Sequence, residues 1–350
     1  MNRLFLYVSR IIFVVSALIA PSIASAHEVY VLTPEQLKAG LAAPSFSMVS
    51  ELLENMHQFM FWAFMSISVV VFIFLLSTSK RLEKKLSPSI LRVKHYAPKV
   101  ARITVGLSFF AAGYYRALFG PELPLIRLYG SYAGAVDVLL FILGFLILCN
   151  LYIRTAAFIS LALFALAVKE KGMYMLTYTN YLGELVVLLL LSEITGKKKK
   201  HLSPFFKTIA AHYERFRFPF LRVTFGVALI YASLYAKFIH NNLALQVAQM
   251  PLEGHVLNVA ATLGFEPHFL VLGAGILEIV LGLFFIFGFE IRFAALFLEF
   301  WLTLSLCYFG ESVWPHIVLI GIPIAFFLHG YDKYSLEGYF FKKGSREPVL

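Results

Sequence analysis

The chain is poor in charge and nearly without cysteine. Only 14% of its 350 residues are Asp, Glu, Lys or Arg, against roughly 25% in soluble domains. Sixty per cent are hydrophobic, and the mean hydropathy is +0.78. A soluble globule of this size has no interior that could hide so much apolar surface. The two cysteines, Cys149 and Cys307, form no CxxC pair, which argues against a thiol–disulfide relay within the chain and for two apolar fillers. Also missing are a phosphate-binding GxxxxGK[ST] loop, a haem-type CxxCH and a hydrolase elbow, so an enzyme acting alone is disfavoured.

What the chain does have is long apolar runs. A helix of about 18 or more such residues crosses a hydrocarbon core of roughly 30 Å. The expected fold is therefore an all-α integral membrane protein. Residues 1–26 read as a signal peptide: a basic start (Arg3, Arg10), an apolar centre and the small-residue ending Ala24-Ser25-Ala26. Nine spans follow, near 57–78, 101–119, 131–149, 155–168, 181–194, 221–239, 268–288, 293–309 and 315–329.

The net charge of +10 has a simple cause if the bases lie on one side of the membrane. With His27 outside, 20 bases fall inside and six outside, leaving out the signal peptide and the span-initial Arg102 and Arg222. The run Lys197–Lys200 is then a topology signal in contact with anionic lipid, and no nucleic-acid partner is expected. This places the chain in the cell's inner (cytoplasmic) membrane, with the mature N-terminus outside and the C-terminus in the cytoplasm.

The phrase RITVG at Arg102–Gly106 returns as RVTFG at Arg222–Gly226. Tyr115 and Tyr235 keep the offset of 120, and a base closes each helix, Arg116 or Lys237. Further on, Tyr152-Ile-Arg154-Thr-Ala-Ala is matched by Glu290-Ile-Arg292-Phe-Ala-Ala. Matches in the same order point to two copies of a four-helix unit. Four is even, so the copies share one orientation, as a parallel repeat. The expected organisation is a signal peptide (1–26), an extracytoplasmic segment (27–56), an extra transmembrane helix (57–78), a basic linker (79–96), a first unit (97–194), a second basic linker (195–217), a second unit (218–330) and a cytoplasmic tail (331–350).

The RxxxG opening, the closing base, the acid in the second helix, the Gly288–Arg292 turn and the histidine in the last helix resemble the DoxX-like family of small four-helix membrane proteins. The chain is similar to a tandem version of that unit, with the second copy the better match. The resemblance implies a membrane partner of redox systems, since the related DoxD type forms part of a thiosulfate:quinone oxidoreductase. Quinone is the cofactor it implies, and other membrane or extracytoplasmic redox proteins are the partners.

Charges at bilayer depth cost about 2.5–3.5 kcal/mol each on insertion scales, so those present are the best site candidates. Glu278 follows His268 by ten residues, which puts it about 15 Å deep. Asp137 occupies the matching helix of the first copy. Lys237 can bend toward Glu278 and Arg116 toward Asp137. Such pairs either hold the bundle together or form a proton-linked or quinone-facing site. Glu184, Glu299 and His316 complete the polar set, with Asn180 roughly where His316 falls in the first copy. Arg102 and Arg222 are expected to reach headgroup phosphate, with Gly106 and Gly226 allowing close helix approach. His27, once freed by cleavage, offers an amine and an imidazole that suit copper, with His57 as a further nitrogen. HEVYVLTPEQL has no second histidine, so that motif is incomplete. Leu243, Val247, Val256 and Val259 of the longest outside loop read as an interfacial helix.

Three functions fit this pattern: an auxiliary membrane subunit of an electron-transfer system, a proton-coupled small-solute transporter, or a ligand-free membrane scaffold.

Overall fold

The computed structural model describes residues 34–47, 89–191, 213–249, 267–309 and 314–341, with scattered single positions between 32 and 85. The signal peptide, His27, His57 and most of the span at 57–78 lie outside the described residues. Helices account for nearly all of what is described. They are α1 (Pro34–Ala42), α2 (Ala97–Tyr114), α3 (Leu125–Tyr129), α4 (Ala133–Leu148), α5 (Ile153–Lys171) and α6 (Thr179–Leu190). Then follow α7 (Arg217–Ser233), α8 (Asn241–Ala248), α9 (Pro267–Phe287), α10 (Ile291–Phe309), α11 (Pro315–His329) and α12 (Leu336–Phe341). No strand occurs among the described residues beyond one bridge between Ala117 and Pro124.

Local chemistry sets the helix ends. Proline opens α2 and α11, where the missing N–H has no intrahelical acceptor to lose. Between α9 and α10, Gly288 and Glu290 take positive φ, as Asn150 and Tyr152 do between α4 and α5. The span expected to run to residue 119 stops at Tyr114. Arg116 turns left-handed there, and Leu118 and Phe119 tuck into the core as a loop.

Among the described residues, three helical stretches are long and apolar enough to cross a membrane: Leu125–Leu148, Arg217–Ile239 and Pro267–Phe287. Large apolar side chains such as Phe145, Phe158, Phe287 and Phe300 point outward from four different helices, as a bilayer-facing surface requires.

Among the described residues, eight long helices close a ring in chain order. Each packs on the next, from α2 to α4, α5, α6, α7, α9, α10 and α11, and α11 returns to α2. The first helix of each half therefore meets the last helix of the other half. At these crossings Gly183 of α6 faces the Thr224 hydroxyl of α7, and Gly321 of α11 faces the Thr104 side chain of α2.

Within each half, two backbones nearly touch. A Cβ on Gly144 would lie 2.9 Å from Gly106 O, and one on Gly282 would lie 2.8 Å from Gly226 O. Glycine is needed at these crossings because any side chain would push α2 off α4 or α7 off α9.

The repeated arginines have a role that differs from the expected one. Arg102 Nη1 donates to Ile147 O and Leu148 O (3.0 and 2.9 Å), and Arg222 Nη1 to Phe285 O and Ile286 O (2.6 and 2.8 Å). Each guanidinium thus satisfies carbonyls that the end of a long helix leaves open and sits at its negative pole. A second pair does the same for the last helices: Arg154 donates to Leu191 O and Arg292 to Phe327 O.

Candidate intramembrane polar site

Lys237 lies in a π-helical turn, Leu234–Ile239, that continues α7. One residue more per turn is a common device for re-aiming a side chain near a functional position. Gly275 on α9 leaves room for the Lys237 stem and the Phe238 ring, and Ser233 Oγ donates to Gly275 O at 3.0 Å. One turn beyond Gly275, Glu278 Oε2 sits 3.0 Å from Lys237 Nζ, with both side chains largely withdrawn from solvent (10% and 16% exposed).

The first half has a looser version. Arg116 Nε is 3.3 Å from Asp137 Oδ2, but the arginine side chain is 81% exposed. Asp137 Oδ1 is buried without a hydrogen-bond partner. The difference follows from the backbone: Lys237 stays on a helical turn, whereas Arg116 has left α2.

The remaining sequence candidates are not gathered around either pair. Glu184 of α6 is completely buried and meets Thr104 of α2 at 3.3 Å. Glu299 on α10 has a buried Oε2 with no hydrogen-bond partner. His316 is buried in the first turn of α11, beside Trp314, which stacks on Tyr115. Asn180 is buried near the start of α6, and Tyr178, two residues before it, lies 138 residues before His316, the same separation as between Gly183 and Gly321 or Arg154 and Arg292. Among the described residues no cluster of three or more His, Cys, Asp or Glu could hold a metal ion.

Two features at the ends of the bundle are not foreseen from sequence. At the Lys237 end, the segment after α1 clasps α8. Asn241 Nδ2 donates to Phe46 O (2.7 Å), Asn242 Nδ2 to Pro44 O (2.6 Å), and Ser45 Oγ to Ile239 O. Leu243 and Val247 are buried against α1 and α9, so the face expected to meet lipid is covered by protein. The valines 256 and 259 lie outside the described residues.

At the opposite end, residues 330–341 fold under the second half. Ser335 caps α12 by accepting from Gly338 N (2.9 Å), Glu337 Oε2 accepts from Ile291 N (3.0 Å), and Asp332 lies 3.8 Å from Arg222 Nε. Burial pushes the Asp332 carboxyl above the ordinary aspartate range, with Arg222 pulling the other way.

Residues 219–310 match the DoxX family model. The matched segment is similar to a DoxX domain. It spans α7 to α10 and contains Lys237, Glu278 and Glu299, while His316, Glu184 and the Arg116–Asp137 pair lie outside it. No curated protein and no solved structure matches the chain.

Proposed function

We propose that this DoxX-like multi-pass membrane protein is an auxiliary membrane subunit of an electron-transfer system, with the Lys237–Glu278 pair as its quinone-facing site. The observation that carries the reading is a cation and an anion 3.0 Å apart inside the DoxX domain, on two helices long and apolar enough to span the bilayer. A buried pair of this kind can hold and pass on a proton, and a quinone takes up protons as it accepts electrons from a redox partner. Tyr231 of α7 stacks on Tyr235 of the π-helical turn, and His240 packs on Tyr235.

In the same reading the chain is a tandem duplication. Supporting it are the paired arginine contacts, the paired glycine crossings and the constant offsets of 120 and 138, whose difference falls in the segment from α8 to α9. The nine spans, the cleaved signal, the inner-membrane location and the cytoplasmic C-terminus belong to this proposal and rest on the distribution of bases.

The π-helical turn that carries Lys237 favours a second reading, a proton-coupled small-solute transporter, because interrupted helices line substrate sites in transporters. One experiment separates these readings from a ligand-free scaffold. The double variant Lys237→Met/Glu278→Gln is assayed for folded yield and for rescue of the deletion strain. A folded protein that fails to rescue supports a functional pair, and full rescue removes the pair from any such role. Purification with native partners, followed by an absorption spectrum, then distinguishes the redox reading from transport.

A further inference from the structure

The core of the first half holds a polar group that the Lys237–Glu278 pair does not use. Thr104 and Ser108 lie one turn apart on α2, and Tyr181 and Glu184 lie three residues apart on α6. Thr104 Oγ1 lies 3.3 Å from Glu184 Oε1, and Ser108 Oγ lies 2.6 Å from Tyr181 Oη. All four are buried, and Glu184 Oε2 has no hydrogen-bond partner. The second half replaces Ser108, Tyr181 and Glu184 with Ala228, Leu319 and Ile322 at the corresponding offsets. The core therefore packs without this cluster, which makes a purely structural need for it weak.

Hydrogen counting shows what Glu184 contributes. Thr104 has one hydroxyl hydrogen and three oxygens in reach: Ala101 O at 3.0 Å, Val100 O at 3.1 Å and Glu184 Oε1 at 3.3 Å. Thr224, at the same place in the second half, directs its hydroxyl to Phe220 O and Leu221 O at 3.0 Å each. If Thr104 does the same, the hydrogen between it and Glu184 is the carboxyl's own. Of the charged groups on helices packed against α6, Arg102, Arg154 and Arg222 are bonded to helix-end carbonyls and Lys237 to Glu278. The hydrogen-bond partner of Glu184 is Thr104, with Tyr181 one turn away on the same helix.

A line of tyrosines connects this cluster to one end of the bundle. Tyr181 packs on Tyr178 with ring centroids 6.2 Å apart, and Tyr178 on Tyr174 at 6.3 Å. Tyr174 Oη donates to Glu122 Oε1 at 3.2 Å, in the loop that joins α2 to α3.

We propose that Glu184, with Thr104, Ser108 and Tyr181, forms a proton-binding site that exchanges with water at the Glu122 end of the bundle along Tyr181, Tyr178 and Tyr174. Ring contacts do not carry a proton, so water entering from the Glu122 end bridges the hydroxyls, and in each exchange every hydroxyl or water passes one hydrogen onward as it takes one from its neighbour. Every group ends with the hydrogens it began with, and one proton has entered for one that left. The site is independent of the Lys237–Glu278 pair, so failure of the electron-transfer reading leaves it standing.

The test uses the full chain in lipid nanodiscs, followed by infrared spectroscopy on transfer from H₂O to D₂O. The wild type is expected to show the carbonyl band of a protonated carboxyl. Glu184→Gln removes that band, leaving any from Glu278 or Glu299 in place. Thr104→Val, nearly isosteric, shifts it and so assigns it even if the glutamine variant does not fold. Deuteration of the band slows in Tyr181→Phe and in Tyr174→Phe. The proposal is overturned if neither substitution at positions 184 and 104 changes a protonated-carboxyl band, if the band never shifts in D₂O, or if its exchange rate is the same in both phenylalanine variants as in the wild type.

Discussion

Glu278 on α9 holds Lys237 of the π-helical turn at 3.0 Å, and both side chains are largely withdrawn from solvent. Two mostly buried charges that satisfy each other leave a large penalty behind when one is removed, about 3–5 kcal/mol for a buried pair. Glu278→Gln is therefore expected to lower the melting temperature in detergent sharply, and adding Lys237→Met to recover most of it. If the double variant melts no higher than the single one, the pair is not coupled in this way.

Arg222 is held more tightly than Arg102. Both donate to two helix-end carbonyls, but Arg222 also reaches Tyr334 O at 3.3 Å and Asp332, and is buried where Arg102 is partly exposed. With charged hydrogen bonds contributing about 1.5–3 kcal/mol each, Arg222→Ala should cost more stability than Arg102→Ala in the same detergent melt. Equal losses would mean that the segment 330–341 adds nothing to the clamp.

Two glycines on α9 give opposite expectations. Nothing lies within 4 Å of a Cβ on Gly273, so Gly273→Ala should stabilise by roughly 0.5–1 kcal/mol through lost backbone freedom. On Gly282 the added carbon meets Ile230 Cγ1 at 2.6 Å and Gly226 O at 2.8 Å, so alanine there should destabilise. A melt in which both variants move the same way would contradict the close crossing of α7 and α9.

The orientation can be tested without reference to function. Single cysteines at Ser89 and Ser203, in a chain lacking Cys149 and Cys307, are expected to resist an impermeant thiol reagent added outside intact cells. Labelling of both positions would reverse the sidedness drawn from the bases.

Much of this was legible in the sequence because it depends on one-dimensional quantities. Apolar length gave helices close to those described, and the order of landmarks along each half pointed to the paired bases and acids. The destination of Arg102 and Arg222 was not legible. A guanidinium at a helix start can reach phosphate or a neighbour's carbonyls equally well, and only the neighbour's end point decides. The role of residues 330–341 escaped for a similar reason. Ser335-Leu-Glu-Gly338 reads as a polar tail until its Glu337 is seen to cap α10. The cluster around Glu184 was hidden because Thr104, Ser108 and Tyr181 carry no charge and raise no signal in an apolar run.

Ring closure also has a consequence in time. The surface of α2 that receives α11 is complete once Tyr114 has been made, yet its partner begins only at Pro315. At about 5–20 residues per second the ribosome takes on the order of 10–40 s to cover that stretch. During the interval Thr104 faces lipid or a transient occupant, because Gly321, which finally packs on it, does not yet exist. A chain stopped before Pro315 would keep that face open permanently, which makes it a ready substrate for membrane quality control even with most of its helices already made.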